Sequence, residues 1–293
     1  MKLSIIIVNY NGESYIADCL DSILNSKTTY LFEIIVIDNL STDTSLSILK
    51  KYHEHIKIIQ NHHNSGFAKA NNIALNYALG DYVFFLNNDT VVQPDSLEKL
   101  FQLINEDQSV SVLVPKLLNA DGSIQTPGSV LGQWRFKSKV PTKIPFAAGA
   151  ALLIKKQVYL ESGGFDNHYF FYNEDLDLCK SLKKAGYDIY YDPRVTVTHF
   201  GGLATQFRKP HSIIEGYRGG FYFCQKFYGA FMLQIYRFVI LFDIIPKMLL
   251  SILKLVIDSS QKDICKAYLN VLKIIQTQDF RYEHPAVNVT VLK

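Results

Sequence analysis

The tripeptide Asn87-Asn88-Asp89 is the clearest group of residues in this sequence that could carry out chemistry. It directly follows the apolar run of residues 82–86, so Asp89 places a carboxylate just beyond the exit of a predicted buried strand. Proteins usually hold Mg²⁺ with one or two carboxylates together with phosphate oxygens. Asp89 could therefore bind a divalent cation beside a phosphorylated ligand. Asn and Asp also favour turns, so the tripeptide alone could equally be a plain turn.

Two further segments could bind a phosphorylated or nucleotide ligand. Asp38 ends the apolar run of residues 34–37, and an acidic residue in that position binds ribose in dinucleotide folds. It could instead cap the helix that follows. Gly66 and Lys69 could approach phosphate groups, or their segment could simply lead into a helix. Gly12 stands alone after the first strand, so the GxGxxG pattern of nicotinamide enzymes is absent and an oxidoreductase is not indicated.

Three carboxylates fall within the four positions Glu174-Asp175-Leu176-Asp177. Successive helical side chains point in different directions, so only one or two of them would face a cleft. A carboxylate there could act as a general base for a hydroxyl nucleophile. The same residues could merely complement the dipole at a helix N-terminus. His199 follows a strand-like segment and could be a metal ligand or a structural histidine.

Four apolar runs, each ended by polar residues, predict the strands that position these side chains, at residues 3–8, 34–37, 56–59 and 82–86. Helical spacing between them gives the order β-α-β-α-β-α-β, with the third helix expected at residues 71–79. This order predicts an open parallel α/β sheet that binds ligands beyond the carboxyl ends of its strands. Downstream we expect a loop or irregular strand, a helix and two short strands, at residues 119–145, 174–186, 187–191 and 195–198.

Composition narrows the function classes. The chain has 293 residues, 30 basic and 27 acidic, and a formal net charge of +3, so a strongly electropositive nucleic-acid-binding protein is not expected. Four scattered cysteines without a CxxC pair indicate neither a zinc cluster nor a redox motif, and they fit the cytosol. Residues 215–293 carry a net +4, whereas residues 1–214 carry a net −1.

The C-terminal segment is rich in aromatic and aliphatic residues interrupted by Lys and Arg. Its longest uncharged stretch, residues 227–236, is far shorter than the ~18–20 residues that span a bilayer, and Pro246 is expected to break or kink a long helix. These features favour a helix that lies in the interface of a membrane. Plain packing on the first domain, or a homodimer interface, remains the alternative. We expect a catalytic region at residues 1–212 and a helical extension at residues 213–293.

Taken in order, the motifs resemble the family 2 inverting glycosyltransferases with the GT-A fold, in particular their rhamnosyltransferase-like branch. The similarity covers about residues 1–205, and the matching segments are residues 5–12, 36–43, 64–72, 86–89, 163–166, 171–178 and 199–202. It implies a mixed, Rossmann-like α/β sheet flanked by helices, here followed by the helical extension.

The resemblance implies a role for each matching residue. Val8, Tyr10 and Asp38 would hold the base and ribose of a nucleotide, and Gly66, Lys69, Asn87, Asn88 and Glu174 would also contact the substrate. Asp89 and His199 would hold the metal at the donor diphosphate. Asp175 would be the catalytic base, in preference to Glu174. Asn87 stands where many members have Asp, so one negative charge is missing.

The activity implied is transfer of a sugar from a UDP- or dTDP-sugar, with Mg²⁺ or Mn²⁺, to a hydroxyl of a cell-surface glycan or a lipid-linked acceptor. Such an enzyme would be cytoplasmic, or peripheral on the inner face of the cell membrane. A non-catalytic protein that binds nucleotide sugars, or a scaffold on the same fold, is the alternative function class.

Overall fold

The computed structural model describes residues 2–126, 130–201, 209–255 and 257–292. In these residues one mixed sheet has the strand order β10-β3-β2-β1-β4-β8-β6-β9-β5, with β7 paired to β9. The strands are β1 Lys2–Asn9, β2 Leu31–Asp38, β3 Ile56–Asn61, β4 Tyr82–Asn87, β5 Thr90–Val92, β6 Val112–Leu118, β7 Thr142–Ile144, β8 Ala151–Lys155, β9 Ile189–His199 and β10 Val289–Leu292. The helices are α1 Ile16–Leu24, α2 Ser45–Lys50, α3 Gly66–Leu75, α4 Ser96–Glu106, α5 Lys156–Glu161, α6 Glu174–Lys184, α7 Lys209–Leu255 and α8 Gln261–Thr277.

The parallel strands β1 to β4 confirm the sequence prediction. Their central apolar residues are buried on both faces, which explains why β1, β2 and β4 contain uninterrupted apolar runs, while the run in β3 is interrupted by Lys57. β1 lies between β2 and β4, and the register pairs Asn9 with Asp38 and Val8 with Asn87. The polar ends of these strands are therefore neighbours on one edge of the sheet.

The other half of the sheet makes it mixed. β8 is antiparallel to both β4 and β6, while β6 and β9 are parallel. The two strands expected between residues 187 and 198 are one strand, because a register shift against β6 absorbs residues 193–195 as a bulge. The expected loop at residues 119–145 contains a 3₁₀ helix, Val130–Lys137, as well as β7.

The chain divides into two compact units. Unit 1 consists of Met1–Asp166, Asp175–Gly202 and Pro285–Lys293, and unit 2 consists of Asn167–Glu174 and Leu203–His284. Unit 1 holds the whole sheet. The boundary expected between residues 212 and 213 would fall inside α7, which begins at Lys209, and it stays a prediction.

Unit 2 is built around α7, which is interrupted at Gly229, where φ is 77°. Pro246 lies inside the helix, so the interruption is at Gly229 and not at the proline. The first arm (residues 209–228) and the second arm (residues 230–255) run antiparallel, since the Tyr217 hydroxyl donates to Asp243 at 2.6 Å. Within the described residues, no helix is long and apolar enough to cross a membrane.

Candidate active site

The end of β1 is fixed by a buried polar network. The Asn9 side chain donates to Asp38 Oδ1 at 3.0 Å and to Ser41 Oγ at 3.1 Å. The backbone N–H of Ser41 donates to Asp38 Oδ2 at 3.2 Å. Asp38 is buried, and each of its oxygens already accepts one bond from the protein. The carboxylate therefore shapes the loop after β2, and its contact with a base or ribose stays a prediction.

The same network extends to the tripeptide after β4. Asn88 donates from Nδ2 to Asn9 Oδ1 at 2.9 Å. Gly12 packs against this pair so closely that a Cβ there would collide with Asn88 Nδ2 and Asn9 Oδ1. The lone glycine after β1 is thus required by the close approach of two loops. Asn88, expected to contact substrate, holds the β1 and β4 ends together in this structure.

One cluster of polar side chains lies where β4 ends and β5 pairs with β9. It consists of Asn87, Asp89 and His199. β5 pairs with β9 so that Thr90 lies opposite His199, which brings the histidine beside the preceding Asp89. His199 Nε2 lies 3.3 Å from Asp89 Oδ1 and 3.2 Å from Asn87 Nδ2. Two of the residues expected at the metal and a third expected at the substrate are therefore brought together.

Gln125 sets the orientation and the tautomer of the His199 ring. The Gln125 amide nitrogen donates to Asn119 Oδ1 at 3.0 Å, so its oxygen faces His199 Nδ1 at 2.7 Å. This network assigns the proton of the neutral ring to Nδ1, so Nε2 accepts from Asn87 Nδ2 and lies beside Asp89 Oδ1. Metal-binding histidines are generally oriented by such a second bond.

The donor set fits a divalent cation. In the neutral ring, Asp89 Oδ1 and His199 Nε2 are two bases side by side, which a cation would stabilise. No group of three or more His, Cys, Asp or Glu side chains that could hold a metal occurs in the described part of the chain. Two protein ligands are enough where a ligand supplies phosphate oxygens, as is usual for Mg²⁺.

Asp175 lies in the first turn of α6, beside the strand that pairs with β4. The N–H of Leu176 donates to its Oδ1 at 2.8 Å, and the N–H of Gly149 lies 3.4 Å from its Oδ2. The next residue, Ala150, accepts the Asn87 N–H at 2.9 Å. One stretch of backbone therefore links Asp175 to the tripeptide after β4.

Burial makes Asp175 an unusually basic carboxylate. Desolvation raises its pKa from 3.8 to about 6, although its hydrogen bonds with backbone N–H groups oppose the shift. Such a group is still ionised at neutral pH but accepts a proton more readily than an exposed carboxylate. These are the properties of a general base.

The residues just before Asp175 have unusual backbone geometry. Tyr172 and Asn173 both adopt positive φ, at 71° and 70°. Left-handed geometry at non-glycine residues costs about 1–3 kcal/mol each and often accompanies functional sites. Within unit 2 the Asn173 side chain donates to the Gly216 carbonyl at 3.0 Å, which holds this turn. Glu174 follows and is buried at the start of α6.

The remaining predicted substrate residues are arranged around the β1 and β3 ends. Val8 and Tyr10 are partly buried at the end of β1. Gly66 begins α3 with φ of 70°, so this helix starts five residues earlier than expected. Lys69 donates to the Pro285 carbonyl at 3.0 Å, and burial lowers its pKa. Its contact with phosphate stays a prediction. Gly202, which closes the last motif, lies outside the described residues.

Sequence reasoning missed Gln125 and gave Asn9 no separate role. Gln125 lies in a segment expected to be an irregular loop, and its partner is 74 residues away. Asn9 is fully buried and connects Asp38, Ser41 and Asn88. An asparagine at the end of an apolar strand was the available signal, since a polar residue buried there needs several partners.

Comparison with known proteins agrees with this geometry. The family model for glycosyl transferase family 2 matches residues 4–162, which include β1 to β4 and the tripeptide. A poly(ribitol-phosphate) beta-glucosyltransferase of Bacillus spizizenii is 32% identical over 65% of this chain. This chain spans only 32% of that relative's length.

Two further proteins extend the comparison. The rhamnosyltransferase WbbL of Escherichia coli is 29% identical over 67% of this chain and 82% of its own length. The crystal structure of GalNAc-T7 with UDP, GalNAc and Mn²⁺ has a TM-score of 0.57 at 21% identity, covering 68% of this chain and 44% of that one. That structure supports the GT-A fold. Since the family model covers more than half of the residues and includes the strand ends that build the site, this chain belongs to glycosyl transferase family 2.

Proposed function

We propose that the chain is a metal-dependent, inverting glycosyltransferase that moves a sugar from a UDP- or dTDP-sugar to a hydroxyl of a cell-surface glycan. The observation that carries the proposal is the pairing of Asp89 with a His199 ring oriented by Gln125, at the sheet edge that also holds Asp175. Family membership makes glycosyl transfer the reaction to which this arrangement is best suited.

The donor would lie along the polar strand ends. Open α/β sheets bind ligands beyond the carboxyl ends of their strands. Val8, Tyr10 and Asp38 would contact the base and ribose, and Gly66 and Lys69 would lie on the phosphate side. UDP in the GalNAc-T7 structure supports a nucleoside diphosphate on this fold, and dTDP is the alternative nucleotide.

Asp89 and His199 are the residues that would hold Mg²⁺ or Mn²⁺, and Mn²⁺ in the GalNAc-T7 structure supports such an ion on this fold. When bound, the cation would stabilise the negative charge that develops on the leaving diphosphate. Asn87 adds an amide here instead of the second carboxylate found in many relatives. The site therefore contributes a single carboxylate, and we expect more of the binding to depend on the donor phosphates.

Asp175 would take the proton from the acceptor hydroxyl. The hydroxyl oxygen would attack the anomeric carbon on the face opposite the diphosphate, which leaves. One displacement on that face inverts the configuration of the sugar. The raised pKa of Asp175 suits proton acceptance near neutral pH. Glu174, one residue earlier, would bind substrate and would not act as the base.

The acceptor would be a hydroxyl of a surface polymer or of a lipid-linked precursor. The names of the two relatives, a poly(ribitol-phosphate) glucosyltransferase and a rhamnosyltransferase, support a glycan or polyol acceptor. The identity of the sugar and the linkage depend on acceptor contacts that the strand-end residues do not determine.

A donor screen tests the proposal. The purified chain is heated with UDP- and dTDP-sugars, with Mg²⁺, Mn²⁺ or a chelator, because a ligand of the native state raises the melting temperature. We expect one donor class to stabilise the protein only when metal is present, and to release nucleoside diphosphate. Asp89→Ala should lose the metal-dependent shift, while the exposed control Asp107→Asn should keep it.

Two results would contradict the proposal. If calorimetry showed the same donor affinity for Asp89→Ala as for the wild type, a metal at Asp89 would have no part in donor binding. Donor binding without any turnover, across all donors and acceptors, would favour the non-catalytic alternative. Where product forms, its anomeric configuration by NMR tests inversion directly.

A further inference from the structure

The second arm of α7 exposes large apolar side chains along one side. Phe231, Ile235, Phe238, Phe242, Leu249 and Leu253 follow each other at intervals of three, four or seven residues and expose between 44% and 77% of their surface. At 3.6 residues per turn these positions share one face, which we call the outer face. It extends over ~33 Å of helix.

The opposite side of the second arm already has its partners within unit 2. Leu233, Ile240, Ile244 and Ser251 are buried, with the same helical spacing. Ser251 accepts a bond from Cys265 of α8 at 3.3 Å, and Arg237 donates to the Ile275 carbonyl of α8 at 3.0 Å. The helix therefore has two apolar sides, of which one forms the core of unit 2 and the other faces solvent.

An exposed apolar surface of this size marks an interaction site on a protein. The charges beside it indicate the partner. From residue 226 to residue 254 the helix carries four basic side chains and one acidic one, Asp243. Asp243 is already occupied by Lys247 and Tyr217, at 2.7 and 2.6 Å. Lys254 is exposed near the C-terminal end of the outer face, and Lys226 is exposed on the first arm just before Gly229. The second arm has three basic residues and one acidic residue, so its net charge is +2.

These charges favour a lipid surface over a second copy of the chain. Helix pairs choose their partner through Glu and Lys at the margins of the apolar seam. Two copies joined through the outer face would bring two net-positive helices together, and such like-charge contacts are unfavourable. An anionic bilayer complements both features, because it accepts apolar side chains and attracts Lys and Arg.

We propose that the outer face of the second arm binds the surface of an anionic lipid bilayer, with the helix lying parallel to the membrane plane. The contact would be peripheral, with the apolar side chains of the outer face entering the interface and the rest of unit 2 outside it. The inference goes beyond the proposed transferase activity and is tested without donor or acceptor.

Co-sedimentation of the full chain with vesicles tests it. We expect binding to vesicles of equal parts phosphatidylglycerol and phosphatidylcholine, and much weaker binding to phosphatidylcholine alone. The triple variant Phe238→Ser, Phe242→Ser, Leu249→Ser should bind at least ~10-fold more weakly, since each large side chain contributes substantially when it leaves water. A matched triple variant, Leu31→Ser, Leu79→Ser, Leu160→Ser, removes equally exposed leucines of unit 1 and should bind like the wild type.

A charge variant provides a second, independent test. Lys226→Glu with Lys254→Glu leaves the apolar residues in place and should weaken binding to the anionic vesicles alone. Wild-type binding by both variant sets would overturn the proposal. A wild-type dimer in analytical ultracentrifugation without lipid that the triple serine variant converts to monomer would also overturn it, and would assign the outer face to a second copy.

Discussion

The strand-end site of unit 1 and the outer face of unit 2 depart from ordinary burial in opposite directions. At the strand ends, polar side chains are buried and hydrogen-bonded in pairs, Asn9 with Asp38 and Asn39 with Asn61. On the outer face, Phe238 and Phe242 expose 64% and 66% of their surface. The first region buries polar side chains, which usually face water. The second exposes large apolar side chains, which usually lie in a core.

This difference in burial shows two ways in which a fold can provide groups that bind a ligand. Buried polar groups are positioned in advance, and the bonds among them hold each side chain in one orientation. Exposed apolar groups need no such network, because burial against a partner is not directional. Substitutions should therefore impair orientation and chemistry in the first region, but only association in the second.

Asp175→Asn should give the largest effect. Loss of the base should lower turnover by ~10²–10⁴-fold, while metal-dependent donor binding survives. Wild-type turnover should fall as pH drops through about 6, since the protonated carboxyl cannot accept a proton. If the variant kept its turnover, Asp175 would not be the catalytic base.

The same substitution separates catalysis from stability. Because the pKa of Asp175 is raised on folding, the native state binds its proton more tightly than the unfolded chain. The charged form therefore destabilises the fold above about pH 6, and this destabilisation is absent below about pH 4. Asp175→Asn should raise the melting temperature at pH 7.5 and not at pH 3.5, a pattern that a carboxylate with a lowered pKa would not give.

Gln125→Ala should have the next largest effect. Loss of the bond at His199 Nδ1 frees the ring to rotate, and loss of such an orienting partner usually costs ~10–100-fold in metal affinity. Titration calorimetry with Mn²⁺ and UDP measures it, with Gln102→Ala on the exposed face of α4 as the control. Equal affinity in wild type and Gln125→Ala would mean that the ring needs no orientation from this residue.

The contrast also explains what the sequence could predict. β1 to β4 were predictable because each contains a mainly apolar run that ends in polar residues, with Lys57 of β3 as the one charged interruption within the predicted runs. β6 was not, because Pro115 and Lys116 interrupt it where the register against β9 shifts. β10 was not either, since a short strand of partly exposed residues is stabilised only by its distant pairing with β3.

The site residues that lie directly beside the end of a strand or the start of a helix were predictable. Asp89 and Asp175 stand next to local signals, namely a strand end and a helix start. Gln125 depends on tertiary structure, because the β6–β9 pairing of Leu118 with Thr198 is what carries its loop to His199. In α7, Ile244 and Ile245 have the same side chain, and packing alone decides that the first is buried and the second exposed.

Gly12→Ala tests how rigid the strand-end network is. Its Cβ would push Asn88 away from Asn9, and such overpacking typically costs about 1–3 kcal/mol. Denaturant unfolding measures the loss. Gly216→Ala is the control, since a Cβ there would meet only Tyr172 at an ordinary distance of 3.9 Å and alanine favours a helix. An unchanged unfolding free energy in Gly12→Ala would show that the loops can separate without cost.

Phe242→Ala should change the unfolding free energy least, by less than about 0.5 kcal/mol, because its ring contributes little to the core of unit 2. Ile244→Ala, two residues away and fully buried, should cost about 2–5 kcal/mol in the same denaturant titration. The two variants lie on one helix and differ chiefly in the side on which the side chain lies. A large loss in Phe242→Ala would mean that the outer face already supports the fold in water, and the comparison with the strand-end site would then no longer hold.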